Sequence, residues 1–199
     1  MSSDPPSASP SPATEAERDG VLLGGLEERL PGAREHADAT AAYALATGVQ
    51  LGLDRDECMH LREAGRLHEV GKLYVRRELL ATSATSLSPV EREEVAADVA
   101  AGYKLALGAG VPRRACEWIL QCEERFDGGD DPTHPAGAEI PLGSRILAAA
   151  CEYDRLARVH GEGGRRLALI GVIELAGGRL DPTVVDALAR VVERATTSG

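Results

Sequence analysis

From Arg34 onward the apolar positions of this chain recur at intervals of three and four, the spacing that gathers one face of an α-helix. Ala37, Ala41, Ala44, Leu45 and Gly48 keep that rhythm up to Gly52. Met59, Leu61, Ala64 and Leu67 repeat it between Asp54 and Gly71, so these four are expected on a buried face. Val21 to Leu30 predicts a shorter helix, halted by Pro31-Gly32, and residues 73–88 carry no regular period. Ser88-Pro89-Val90-Glu91 combines an N-cap, a proline at the first helical position and an acidic first turn, and predicts a helix to about Leu107. Pro112 opens another, bearing Ala115, Trp118, Ile119 and Cys122, with Trp118 read as core. Ile140-Pro141-Leu142 leads into a helix through Tyr153, and two more are expected over 163–176 and 182–195. Asp127 to Gly137, dense in Gly, Asp and Pro, predicts a loop. No stretch makes a convincing strand, and the expected fold is all-α.

Composition supports this. Of 199 residues 43% are hydrophobic but only 3% aromatic, so Ala, Leu and Val must fill the interior, which suits close helix packing. Residues 1–18 are rich in Ser, Pro and Ala and are expected to be a disordered tail or linker, leaving 19–199 as one helical domain. A net charge of −10 opposes DNA and anionic membranes. No apolar run approaches the roughly 20 residues of a membrane span. The cysteines at 58, 116, 122 and 151 form no CxxC pair, and a reduced, cytoplasmic protein is expected.

The chemistry concentrates in Arg66-Leu67-His68-Glu69-Val70-Gly71-Lys72. His68 and Glu69 close a helix, a Gly turn follows, and Lys72 comes next. Imidazole beside carboxylate is a reasonable ligand pair for a divalent ion, although such a dipeptide alone is more often an ordinary polar pair. This segment resembles the "HDxGK" signature of the HD and HD-GYP family. The rest of the chain resembles the same family in order. Leu87-Ser88-Pro89-Val90-Glu91 is similar to "LTxEE", Ala97 to Gly102 to "HPxxG", and Ile119 to Gly128 to the start of "HHExxDGxGYP". Ile140-Pro141-Leu142 with Arg145-Ile146-Leu147 is similar to "IPLxARIL", Cys151-Glu152-Tyr153-Asp154 to "DxYD", and Asp181-Pro182 with Val184-Val185 to "FDPxVV".

The resemblance, from about Arg34 to Asp186, implies an HD-domain helical bundle of the HD-GYP type, the family of bacterial cyclic-di-GMP phosphodiesterases. It implies metal ligands at His68, Glu69, Asp98, Cys122, Glu123 and Cys151, with His36 on the first helix as a further candidate. Only His68 keeps the family's residue. Asp has become Glu69, His has become Asp98, the paired His have become Cys122 and Glu123, and the last Asp has become Cys151. In the "GYP" loop Asp130 and Asp131 replace Gly and Tyr. Every replaced ligand is still of a type that binds metal, and the two thiols favour zinc over the family's iron or manganese.

Two readings stand. In the favoured one the module is catalytically impaired for cyclic-di-GMP hydrolysis and binds a nucleotide or a protein. In the alternative it is an active metal-dependent phosphodiesterase with a rebuilt site, so the reading as an enzyme stays open. Lys72 would face the phosphate, with Arg145, Arg165 and Arg166 as further candidate ligand contacts. A cyclic dinucleotide and a diguanylate-cyclase-type domain are the partners that the resemblance implies. Asp154 is expected to make a structural hydrogen bond.

Overall fold

The computed structural model describes residues 14–82, 86–129, 132–161 and 163–197. Among them lie ten α-helices: α1 (Glu15–Arg29), α2 (Ala33–Gln50), α3 (Arg55–Leu67), α4 (Arg77–Leu80), α5 (Pro89–Ala96), α6 (Asp98–Gly108), α7 (Arg113–Leu120), α8 (Leu142–His160), α9 (Gly164–Glu174) and α10 (Pro182–Thr197). Short 3-10 turns occupy Val70–Tyr74 and Gly137–Glu139. The described residues contain no strand, only an isolated bridge between Ala176 and Leu180. The expected all-α class is therefore the observed one, and no described helix is long and apolar enough to cross a membrane.

Local signals set many of the boundaries. Asp54 with Glu57 and Ser88 with Glu91 form capping boxes, each satisfying two backbone donors at the start of α3 and α5. The same device corrects the N-terminal boundary. Thr14 and Glu17 cap α1, so the helix begins inside the stretch read as a tail, whose residues 1–13 lie outside the described ones. Buried Leu23 and Leu26 then anchor α1 to the body. The helix expected from Ser88 to Leu107 is instead broken at Ala97 into α5 and α6, which lets Gly102 of α6 lie against Gly71. Met59 is 41% exposed rather than buried. The segment 73–88 contributes its own small core of Val75, Leu79 and Leu87.

At the centre, α2 packs between α3 and α8, and α7 covers α3. Tyr153, Leu61, Leu67, Ile119, Ile146 and Leu147 are fully enclosed there, and Trp118 joins that core as expected. The α2–α3 crossing is tight because α2 offers Ala41 to Gly65, where a Cβ would stand 2.6 Å from the Ala41 Cα. A second close contact follows α3. A Cβ on Gly71 would meet the Asp98 carbonyl oxygen at 1.8 Å, so only glycine lets the turn after α3 rest on the start of α6. Together these contacts fix where the end of α3 points.

Candidate metal centre

His68 is the C-cap of α3. Its Nδ1 donates to the Gly65 carbonyl at 2.8 Å, which leaves the lone pair on Nε2. That Nε2 is buried and has no hydrogen-bond partner among the described residues. From α2, His36 donates Nδ1–H to the Asp154 carboxylate of α8 at 2.6 Å. The expected structural hydrogen bond of Asp154 is thus made to a histidine that faces the centre. The Nε2 of His36 lies 3.6 Å from the Cys151 sulfur and 3.8 Å from Glu69 Oε1. The two imidazoles meet edge to face with centroids 5.2 Å apart. One donor atom each from His36, His68 and Cys151 falls within 4.8 Å of the others, and all three residues are buried.

Electrostatics sort the groups. Burial pushes the His68 imidazole below its ordinary pKa, which keeps it neutral and ligand-competent. Burial also opposes charge on Glu69, but His68, Lys72 and His36 outweigh it and hold the carboxyl down at about 2. Lys72 is ion-paired directly to Glu69. Burial drives the Cys122 thiol well above its usual range, helped by Glu123, Cys151 and Asp98. Asp98 is pushed up to about 6, chiefly by burial, with Glu123 and Glu69 adding against the pull of Lys72.

The residues fit a metal. A buried imidazole nitrogen without a partner is costly unless something accepts its lone pair. Two imidazoles and a thiol make a mixed N/S set that suits zinc, and Glu69, whose Oε1 is held by Lys72, lies beside it. Donors around a tetrahedral zinc stand about 3.3–3.8 Å apart, from bond lengths of roughly 2.0–2.3 Å. The separation from His36 to Cys151 matches that span, and His68 joins them with all three donors within 4.8 Å of one another. Asp154 behind His36 and the Gly65 carbonyl behind His68 are the outer partners that orient metal-binding histidines.

The other candidates lie elsewhere. Asp98, Glu123 and Lys72 line a neighbouring cleft of about 610 Å³, together with Glu152, Arg155 and Arg179. Glu123 is exposed and turned towards Arg179 at 2.9 Å, and Cys122 is enclosed as a neutral thiol. Arg145 pairs with the buried Asp181 and donates to the Ile140 carbonyl, outside this cleft. Arg165 and Arg166 are exposed at the start of α9 and do not line it. Asp130 and Asp131 lie outside the described residues. Arg155 and Arg179 were not singled out from the sequence. Spacing offered a signal for the first, since Arg155 follows Cys151 by four and so shares its helix face; none marked Arg179.

Residues 21–184 match the HD domain family. The cyclic di-GMP phosphodiesterase response regulator RpfG of Xanthomonas campestris is 30% identical over 174 residues, 85% of this chain and 46% of its own. The 3'3'-cGAMP-specific phosphodiesterase 1 of Vibrio cholerae is 28% identical over 165 residues, 78% of this chain and 37% of its own. The chain thus spans less than half the length of these relatives. A cyclic GMP-AMP specific phosphodiesterase of V. cholerae superposes with a TM-score of 0.68 at 20% identity, covering 90% of this chain and 48% of that one. The PgpH HD domain of L. monocytogenes, solved with cyclic-di-AMP, gives 0.65 at 15% identity, covering 89% and 96%. These likenesses carry the fold. With the motif order, the helical architecture and the sequence match in agreement, the chain belongs to the HD domain family, as a divergent member of its HD-GYP type.

Proposed function

We propose that this chain is a signalling module that holds a single metal ion on His36, His68 and Cys151, with Glu69 beside them, and binds a cyclic dinucleotide without efficient hydrolysis. The observation that carries this reading is the division of the candidate ligands. His36, His68 and Cys151 converge on one point, whereas Glu123 faces Arg179 and Cys122 does not join that group. Two-metal phosphodiester cleavage needs ions about 3.5–4 Å apart, each with its own ligands, to clamp the attacking and leaving oxygens. Among the described residues no second such group of donors gathers, which supports a single ion. The ligand class is carried over from the relatives, whose names specify cyclic di-GMP and 3'3'-cGAMP.

A bound ion would supply local positive charge that neutralises a phosphate oxygen and acidifies water. This chain's residues do the rest. Asp154 and the Gly65 carbonyl hold the two imidazoles in one tautomer. Lys72 holds Glu69 and carries its own charge to the wall of the cleft.

The test is incubation of the metal-loaded protein with cyclic di-GMP, 3'3'-cGAMP and cyclic-di-AMP. Binding is followed by calorimetry and product by chromatography. Binding without product is expected. Turnover would establish the alternative, a working phosphodiesterase on a rebuilt site. Neither binding nor product would leave a protein partner, such as a diguanylate-cyclase-type domain, as the reading to pursue.

A further inference from the structure

The cleft beside the metal centre joins Glu152 of the "DxYD"-like segment to two arginines that lie outside the family-like segments. On α8, Glu152 and Arg155 stand one turn apart, and the connection between α9 and α10 brings Arg179 to the same place. Glu152 Oε2 lies 3.4 Å from Arg155 Nη1 and 3.9 Å from Arg179 Nε. One carboxylate, only 15% exposed, therefore spans two guanidinium groups from separate elements. Arg179 also reaches Glu123 at 2.9 Å, and Arg155 Nη2 lies 3.6 Å from the Cys151 sulfur. Both arginines and Lys72 line the cleft of about 610 Å³.

Exposed ion pairs between arginine and glutamate are common and are worth little on their own. Placement separates these from ordinary surface pairs. They occupy a concave site, they share one anion, and Arg155 touches a residue of the metal cluster. The chain carries a net charge of −10, so an anionic ligand approaches against its overall field and needs cations fixed at the point of contact. Paired guanidinium forks are the side chains best shaped for a phosphate, which offers them more oxygens than a carboxylate does.

We propose that Arg155 and Arg179 form a two-guanidinium clamp for the phosphate of a nucleotide ligand, and that Glu152 occupies this clamp in the free protein as an internal anion. The ligand must displace Glu152, so Glu152 sets the affinity by competition. The phosphate-binding cations thus sit on the face of α8 and before α10, while the basic pair Arg165-Arg166 stays on the surface. This inference rests on the reading of the cleft as a cyclic dinucleotide site.

The experiment is calorimetric titration of cyclic di-GMP into the metal-loaded wild type, Arg155→Ala, Arg179→Ala, Arg179→Lys and Glu152→Gln. Inorganic phosphate is titrated in parallel and followed by NMR shifts. Metal content and thermal unfolding check that each variant is folded. Each alanine variant should bind about tenfold more weakly or worse, Arg179→Lys should fall between, and Glu152→Gln should bind several-fold more tightly. Loss of a merely structural ion pair would lower stability in Glu152→Gln without tightening binding. Cyclic di-GMP binding that ignores the arginine substitutions overturns the clamp and leaves the proposed function standing. Phosphate binding in the expected order without any cyclic di-GMP binding upholds the clamp and removes the dinucleotide reading. No phosphate binding by folded Glu152→Gln overturns the clamp outright.

Discussion

The sulfur of Cys151 stands 3.6 Å from Nε2 of His36, although 115 residues separate them along the chain. The packing of α2 against α8 makes this meeting, and Asp154, one turn beyond Cys151 on α8, holds the other nitrogen of the same ring. One face of α8 therefore supplies both a candidate metal donor and the group that orients its neighbour.

That arrangement makes Asp154 testable without touching a donor. Asp154→Asn keeps the shape but removes the charge that fixes the His36 tautomer. Metal affinity should fall about 10–100-fold, the usual effect of removing an outer-shell partner. Competition with a chromogenic chelator measures it, and unchanged affinity would exclude His36 from the centre.

Asp98 predicts a pH dependence. Its folded-state pKa of about 6 lies above the ordinary 3.8, with burial as the main cause. A carboxyl raised on folding binds its proton more tightly in the native state, so its contribution to stability is lost as pH rises from about 4 to 6. In metal-free protein, Asp98→Asn should gain about 1–2 kcal/mol over wild type at pH 7, after discounting for solvent screening, and nothing near pH 4. Urea unfolding at the two pH values reads the difference; an equal gain at both would contradict the assignment.

Gly71→Ala should destabilise the fold by about 2–4 kcal/mol, because backbone lies where the new Cβ must go. The loss should appear in the thermal midpoint and be accompanied by weaker metal binding, since the turn positions Glu69. A stable variant with normal metal content would show that the approach of this turn to Asp98 is not required.

The docking of α1 has its own lever. Asp19 is 1% exposed and pairs with Arg18 at 2.9 Å and Arg66 at 3.3 Å. Asp19→Ala removes the buried anion between the two arginines, leaving Arg18 paired to Glu63 and Arg66 to Asp38, and should cost about 1–3 kcal/mol. Hydrogen exchange should show α1 losing protection first, and full protection would mean that Leu23 and Leu26 suffice.

The fold was legible because its signals are local. Capping residues at Asp54 and Ser88, and apolar positions on α2 and α3, each act within a few residues. Met59 misled because periodicity locates a face to within one side chain and cannot say where its edge falls. The candidate site was legible only in part. Motif order places Asp98, Cys122 and Glu123 at ligand positions, but side-chain direction depends on burial and on partners far along the chain. Glu123 turns to Arg179, 56 residues away, and Cys122 is enclosed and left neutral. His36 moved the other way, from a further candidate to the middle of the cluster, because Asp154 lies 118 residues from it in sequence and beside it in space. Arg155 and Arg179 went unread in the sequence: the first is marked only by its four-residue spacing from Cys151, and nothing in the neighbours of the second announces a shared anion.

The most direct test of the single-ion centre is metal stoichiometry by mass spectrometry on protein purified without oxygen, comparing wild type, Cys151→Ser and Cys122→Ala. About one ion per chain is expected, retained in Cys122→Ala and lost in folded Cys151→Ser. Two ions per chain, or loss on substitution of Cys122 with Cys151→Ser unaffected, would contradict a centre built on His36, His68 and Cys151.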